Sequence, residues 1–180
     1  TPLMPSHLHG PEQALAPLGC STARTLAQPR VLVGGLGMGF TLASALKHLG
    51  KTAEVVVAEL VPGVVEWNRG PLGEKSGRPL LDPRTVIRLE DVAKVLQAEP
   101  QGFDAIMLDV DNGPEGLTQK ATSWLYSAGG LAACAKALRP KGVLAVWSAS
   151  ADKLFSDKLR KAGFKAEEGQ VFADGKKGTG

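Results

Sequence analysis

The sequence predicts a doubly wound α/β fold: one mostly parallel sheet with helices on both faces, in a single domain. Three observations carry that expectation. Short apolar runs alternate with segments of helical period along most of the chain. Four of the runs are largely apolar rather than alternating, the pattern of strands covered on both faces. The first run, Arg30–Val33, breaks into a turn of dense glycine (Gly34, Gly35, Gly37, Gly39) just before a helix.

The elements follow in order. Residues 1–29 are rich in Pro, Ala and Leu and read as an approach segment with one short helix, Pro11–Leu18. The domain proper is expected over 30–180, opening with strand Arg30–Val33. A helix over 40–49 places Leu42, Ala45, Leu46 and Leu49 on one face and stops at Gly50. Strand Glu54–Leu60 follows, then a helix that starts with Pro62 in its first turn and runs to about Asn68. The stretch Arg69–Arg84, with three prolines and three glycines, reads as a long loop and a lid candidate. Then come strand Thr85–Leu89, helix Asp91–Gln97, strand Phe103–Leu108, helix Ser123–Leu138, strand Val143–Trp147 and helix Asp152–Ala162. A last strand is expected near Gln170–Ala173; the ending "ADGKKGTG" reads as a turn with nothing after it, and the expectation is a chain trimmed at both ends or one that lacks a last strand.

Composition narrows the function. The chain has 180 residues, enough for one substantial core, with 43% hydrophobic and 22% charged residues. No apolar run approaches the ~20 residues of a membrane span, and no signal peptide is legible. Cys20 and Cys134 form no metal or redox pattern, so no metal is expected and a reducing cytoplasm is. The net charge of +3 sits partly in Lys176 and Lys177 and points to no nucleic acid. His7, His9 and His48 lack ligand spacing. Trp67, Trp124 and Trp147 are assigned to packing of helices on the sheet or to covering the cleft.

The glycine turn lies where open parallel sheets bind ligands, beyond a strand's carboxyl end. Its spacing is G-x-G-x-G (Gly35, Gly37, Gly39), preceded by Gly34, rather than G-x-G-x-x-G or a P-loop. It resembles the loop of class I S-adenosylmethionine-binding proteins, in which a bare turn lets an adenosine with its amino-acid or amine tail lie against the backbone. A nicotinamide-binding variant and a purely structural turn stay open on the loop alone.

Acidic residues follow three of the strands. Glu59, at the end of strand two, can accept hydrogen bonds from both ribose hydroxyls and would repel a 2′-phosphate. Asp91 reads as a helix N-cap, an adenine contact, or both, with Glu90 as its neighbour and competitor. Asp109 and Asp111 follow strand four, where two close carboxylates raise one pKa and suit a proton acceptor; Glu115 adds a third acid. An acidic turn is the alternative there.

Taken in order, "RVLVGGLGMGFTLASALKHLG", "EVVVAELVPGVVEWNR", "DPRTVIRLEDVAKVL", "FDAIMLDVDNGPEGL" and "LYSAGGLAACAKALRPKGVLAVWS" resemble the spermidine synthase family. These polyamine aminopropyltransferases share the Rossmann-like class I methyltransferase fold. The resemblance spans roughly residues 9–165. It implies transfer of an aminopropyl group from decarboxylated S-adenosylmethionine to an amine. It implies Asp109 as the catalytic aspartate, with Asp111 beside it, Glu59 on the ribose and Asp91 on the adenine. Tyr126 falls where the family has an aromatic residue. Three features depart from the pattern. The loop carries no acid to contact the transferred amine, Asp109 and Asp111 are two apart rather than three, and the small N-terminal β-domain is expected to be missing. The family often forms dimers, so a homodimer is an expectation. The competing readings are a small-molecule methyltransferase using S-adenosylmethionine itself and a nucleoside-binding protein without catalysis.

Overall fold

A computed structural model describes residues 11–108, 123–147 and 153–168. Five strands form one sheet: β1 (Arg30–Gly34), β2 (Glu54–Ala58), β3 (Thr85–Arg88), β4 (Phe103–Leu108) and β5 (Leu138–Val146). Their order is β3-β2-β1-β4-β5, and every described pairing is parallel. The chain moves outward from β1 through β2 to β3, then returns to the other side of β1 for β4. That reversal makes the carboxyl ends of β1 and β4 the topological switch point of the sheet. The doubly wound α/β class expected from the sequence is the observed one.

Each central strand feeds two cores by simple alternation. Val31 and Val33 of β1, Val55 and Val57 of β2, and Ala105 and Met107 of β4 belong to one buried cluster. It includes Leu15 and Ala16 of α1 (Pro11–Gly19), Leu42, Ala45 and Leu46 of α2 (Phe40–His48), and Val65 of α3 (Pro62–Arg69). Leu32, Val56, Ala58, Ile106 and Leu108 face the opposite cluster. It includes Val92, Val95 and Leu96 of α5 (Val92–Ala98), and Cys134 and Ala137 of α6 (Ala128–Ala137). Burial on both faces explains why these strands read as unbroken apolar runs. α1 thus shares the main core with the segment after residue 30.

The strand starts are tied by charge. Arg30, first in β1, pairs with Glu54, first in β2, at 2.6 Å and lies over the Phe103 ring at 4.7 Å. Glu99, just after α5, pairs with both Arg30 and Arg88. Asp104 is buried and accepts bonds from the Arg30 N–H and the Arg139 guanidinium, each at 2.8 Å.

Three stretches differ from the sequence expectation. The long loop 69–84 holds a short helix, α4 (Pro71–Lys75), and a 3-10 turn, Pro79–Leu81, each opened by a proline at its first position. Arg84 anchors its far end, pairing with Asp82 at 2.7 Å and donating to the Leu49 and Gly50 carbonyls just past α2 at 2.9 and 3.1 Å. The helix expected over 123–138 is interrupted. Ser127 caps a new helix by accepting from the Gly130 N–H at 3.2 Å, and a Cβ on Gly130 would lie 2.2 Å from the Trp124 carbonyl. β5 begins at Leu138, with an irregularity beside Phe103 and Ala105, and only from Val143 does its register run cleanly along β4. Helix α7 (Lys153–Lys161) matches expectation, and the strand expected at 170–173 lies outside the described residues.

Candidate nucleoside site

β1 ends in the glycine loop because three glycines there take left-handed φ values: 89° at Gly35, 50° at Gly37 and 82° at Gly39. Other L-residues enter that region at a cost, so the turn's shape explains its glycines. Gly35 extends the sheet by donating to the Ala58 carbonyl at 2.9 Å, and Gly39 closes a turn on the Leu36 carbonyl at 2.8 Å. Gly39 is also the N-cap of α2 and brings no side chain to that helix's free amides. Gly34 has a different reason to be bare. It is buried within β1, and a Cβ on it would lie 2.8 Å from Leu108 and 3.1 Å from Val92.

Glu59 lies one residue beyond β2 and is 8% exposed. Its Oε2 accepts from the Leu36 N–H, inside the glycine loop, at 2.9 Å. Its Oε1 accepts from the Val61 N–H at 2.9 Å. A buried carboxylate needs such donors. Each oxygen keeps a lone pair for a further donor, which is what a pair of vicinal hydroxyls would offer.

Asp91 follows β3 and caps α5, its Oδ1 accepting from the Ala93 N–H at 2.9 Å. The N-cap reading is therefore the observed contact, and Oδ2 belongs to the same half-buried carboxylate. Glu90 beside it is engaged by Arg88 at 2.5 Å. Three exposed apolar side chains lie in the connections that follow β1, β2 and β3: Met38 (40%), Leu60 (43%) and Leu89 (57%). Leu60 adjoins Glu59 in the chain and Leu89 lies two residues before Asp91, and exposed apolar groups next to carboxylates suit a flat heterocycle with a polar sugar better than a polyphosphate.

The structure therefore brings together Gly35, Gly37, Gly39 and Glu59, and places Asp91 beyond β3, at the same carboxyl edge of the sheet. Asp109, Asp111 and Glu115 lie outside the described residues, as do His7, His9, Lys176 and Lys177. Tyr126 lies just before the Ser127 cap, its ring edge-on to Phe155 at 5.2 Å. Trp124 and Trp147 pack against the two cores, while Trp67 is 65% exposed, which counts against packing on the sheet and leaves covering the cleft as its alternative. Among the described residues no three His, Cys, Asp or Glu side chains gather as a metal site, and no helix is long and apolar enough to cross a membrane.

One site residue escapes a motif-based reading. Asn68, on α3, is 1% exposed and donates to the Gly37 carbonyl at 2.8 Å. The signal for it was present: Asn68 falls three and four positions after Val65 and Val64, on the apolar stripe of its helix.

A family model described as spermine/spermidine synthase domain matches residues 13–159. A polyamine aminopropyltransferase of Mycobacterium tuberculosis is 31% identical over 123 residues, 67% of this chain and 23% of that protein. Polyamine aminopropyltransferase 2 of Pseudomonas aeruginosa is 33% identical over 126 residues, 66% of this chain and 33% of that one. The crystal structure of spermidine synthase from Thermotoga maritima superposes with a TM-score of 0.68 at 24% identity, over 84% of this chain and 50% of that one. The chain thus spans half or less of each of these three proteins.

Proposed function

Since the chain belongs to the spermine/spermidine synthase domain family, we propose that it binds decarboxylated S-adenosylmethionine and transfers its aminopropyl group to a small amine. The observation that carries the nucleoside half of this reading is the Glu59 carboxylate. It is buried and held by the amides of Leu36 and Val61 beside left-handed glycines. In this reading the ribose hydroxyls donate to Glu59, the adenine lies against Leu60 and Leu89, and its amino group donates to Asp91. The backbone of Gly35, Gly37 and Gly39 lets the sulfonium tail pass close.

The chemistry is a displacement. The amine's lone pair forms an N–C bond to the methylene next to sulfur. The C–S bond breaks, its electrons return to sulfur, and neutral methylthioadenosine leaves. The nitrogen must give up a proton. Asp109, the residue after β4, is the proposed acceptor, and Asp111 helps to hold the polycation.

A second reading rests on one observation: between Gly34 and Gly39 the loop carries Leu36 and Met38 and no acid. Nothing in that loop repels the carboxylate of intact S-adenosylmethionine, so methyl transfer to a small acceptor is the alternative. Calorimetry with both donors and methylthioadenosine separates the readings. Tighter binding of the decarboxylated donor supports aminopropyl transfer, and tighter binding of the intact donor supports methyl transfer. Failure of all three to bind below about millimolar would remove both.

A further inference from the structure

Asn68 is nearly at the end of α3 and is 1% exposed. Its Nδ2 donates to two carbonyls, Val64 of its own helix at 2.9 Å and Gly37 of the glycine loop at 2.8 Å. Its Oδ1 has no hydrogen-bond partner among the described residues. The two carbonyls fix the amide's orientation, because a flipped amide would set oxygen against oxygen. At a buried helix position, an amide with its acceptor unmet is a poorer choice than alanine. Packing alone therefore does not account for this residue.

What Asn68 adds is a cross-link from a rigid helix to a peptide plane of the loop. The Gly37–Met38 peptide is trans, so fixing the Gly37 carbonyl also fixes the Met38 N–H in the opposite direction. Two further side chains converge on the same turn. A Cβ on Gly39 would lie 2.9 Å from Asn68 Oδ1, 3.0 Å from Ser76 Oγ and 3.3 Å from Pro79 Cγ. Ser76 and Pro79 flank two consecutive left-handed residues, Gly77 (φ 79°) and Arg78 (φ 55°), the second an uncommon state before proline.

We infer that Asn68 is a positioning residue: by holding the Gly37 carbonyl it sets the left-handed curve of residues 35–39 in the shape that receives the adenosine part of the donor. The inference rests on the nucleoside-site reading above. It assigns the stretch after α3 to bracing the loop from outside the ligand's own contacts.

The test is Asn68→Asp, read by methylthioadenosine affinity. The ionised variant places a carboxylate against two carbonyls and loses the donor. At about pH 8 its affinity is expected to fall at least about tenfold below wild type. Lowering the pH restores a proton to the carboxyl, so the variant should regain affinity relative to wild type. A variant that melts earlier but keeps wild-type affinity and pH profile overturns the inference while leaving the nucleoside site standing. A wild type that does not bind methylthioadenosine overturns both. If the variant does not fold, the Asn68 side-chain amide in wild type decides by NMR. Slow exchange with solvent and a shift on saturation with methylthioadenosine are expected. Exchange as fast as an exposed asparagine, or an unmoved resonance at saturation, overturns the inference.

Discussion

Leu36 donates its backbone N–H to Glu59 at 2.9 Å across 23 positions of sequence. That bond ties the glycine loop to the end of the neighbouring strand. It also explains how a carboxylate can be 8% exposed without an arginine or lysine partner among its described bonds. Glu59→Gln keeps the size but turns one acceptor into a donor facing a backbone N–H. A loss of about 1–3 kcal/mol in urea denaturation is expected. Methylthioadenosine affinity should fall as well, and calorimetry on the folded variant measures that separately. Unchanged affinity would detach Glu59 from the ribose.

Asp91 serves α5 through one oxygen, at 2.9 Å from the Ala93 N–H. Two roles can therefore be separated by substitution. Asp91→Ala should cost about 1 kcal/mol of stability through loss of the cap. Asp91→Ser keeps a cap but leaves no second carboxylate oxygen for an adenine amino group. Near-wild-type melting with weakened binding of methylthioadenosine is expected for Asp91→Ser. Equal binding would confine Asp91 to capping.

The central strands were legible because each is buried on both faces, which turns Val31–Val33, Val55–Val57 and Ala105–Leu108 into continuous apolar runs. Glu59 and Asp91 were legible because chemistry clusters at strand ends, and both are described there. Asn68 was legible as a polar residue on the apolar stripe of α3, but its tie to the glycine loop was not, because its partner is a carbonyl 31 positions away and no motif announces such a bond. The stretch 69–84 reads as a long loop in the sequence because it carries three prolines and three glycines. Its order comes instead from one close local approach, the Gly73 backbone against the Asn68 carbonyl with no room for a Cβ, and from one long-range anchor, Arg84 reaching past α2. The break before Ser127 was hidden for a similar reason: the Gly130 backbone closes on Trp124 and Leu125, which a helical period does not encode.

Stability should depend on acid through Glu99. The Arg30 guanidinium bonded to it, with the further charge of Arg88, holds its carboxyl below the ordinary glutamate value. Its folded pKa is thus lower than its unfolded one, about 4.3. The stabilisation is full above that unfolded value and is lost as the pH falls through the depressed folded value. Denaturation curves from about pH 6 to 3 should show wild type losing stability more steeply than Glu99→Gln. Parallel curves for the two proteins would remove Glu99 from the acid response.

Cys20 and Cys134 are both buried, and burial pushes each thiol up to about 12. The reactive species is the thiolate, so neither should be a nucleophile near neutral pH. Cys20 lies with Ala16 and Met107 in one core and Cys134 with Leu125 and Phe103 in the other, so reagent can reach them only when the sheet opens. Titration with a disulfide reagent at about pH 8 should find no fast-reacting thiol in the folded protein. In denaturant both cysteines of the chain should react. Excess methylthioadenosine should slow the residual native-state reaction by the factor by which it lowers the open population, the ratio of free ligand to its Kd plus one, because it binds only the folded chain. A native thiol that reacts at the denatured rate, with or without ligand, would contradict the buried placement of that cysteine.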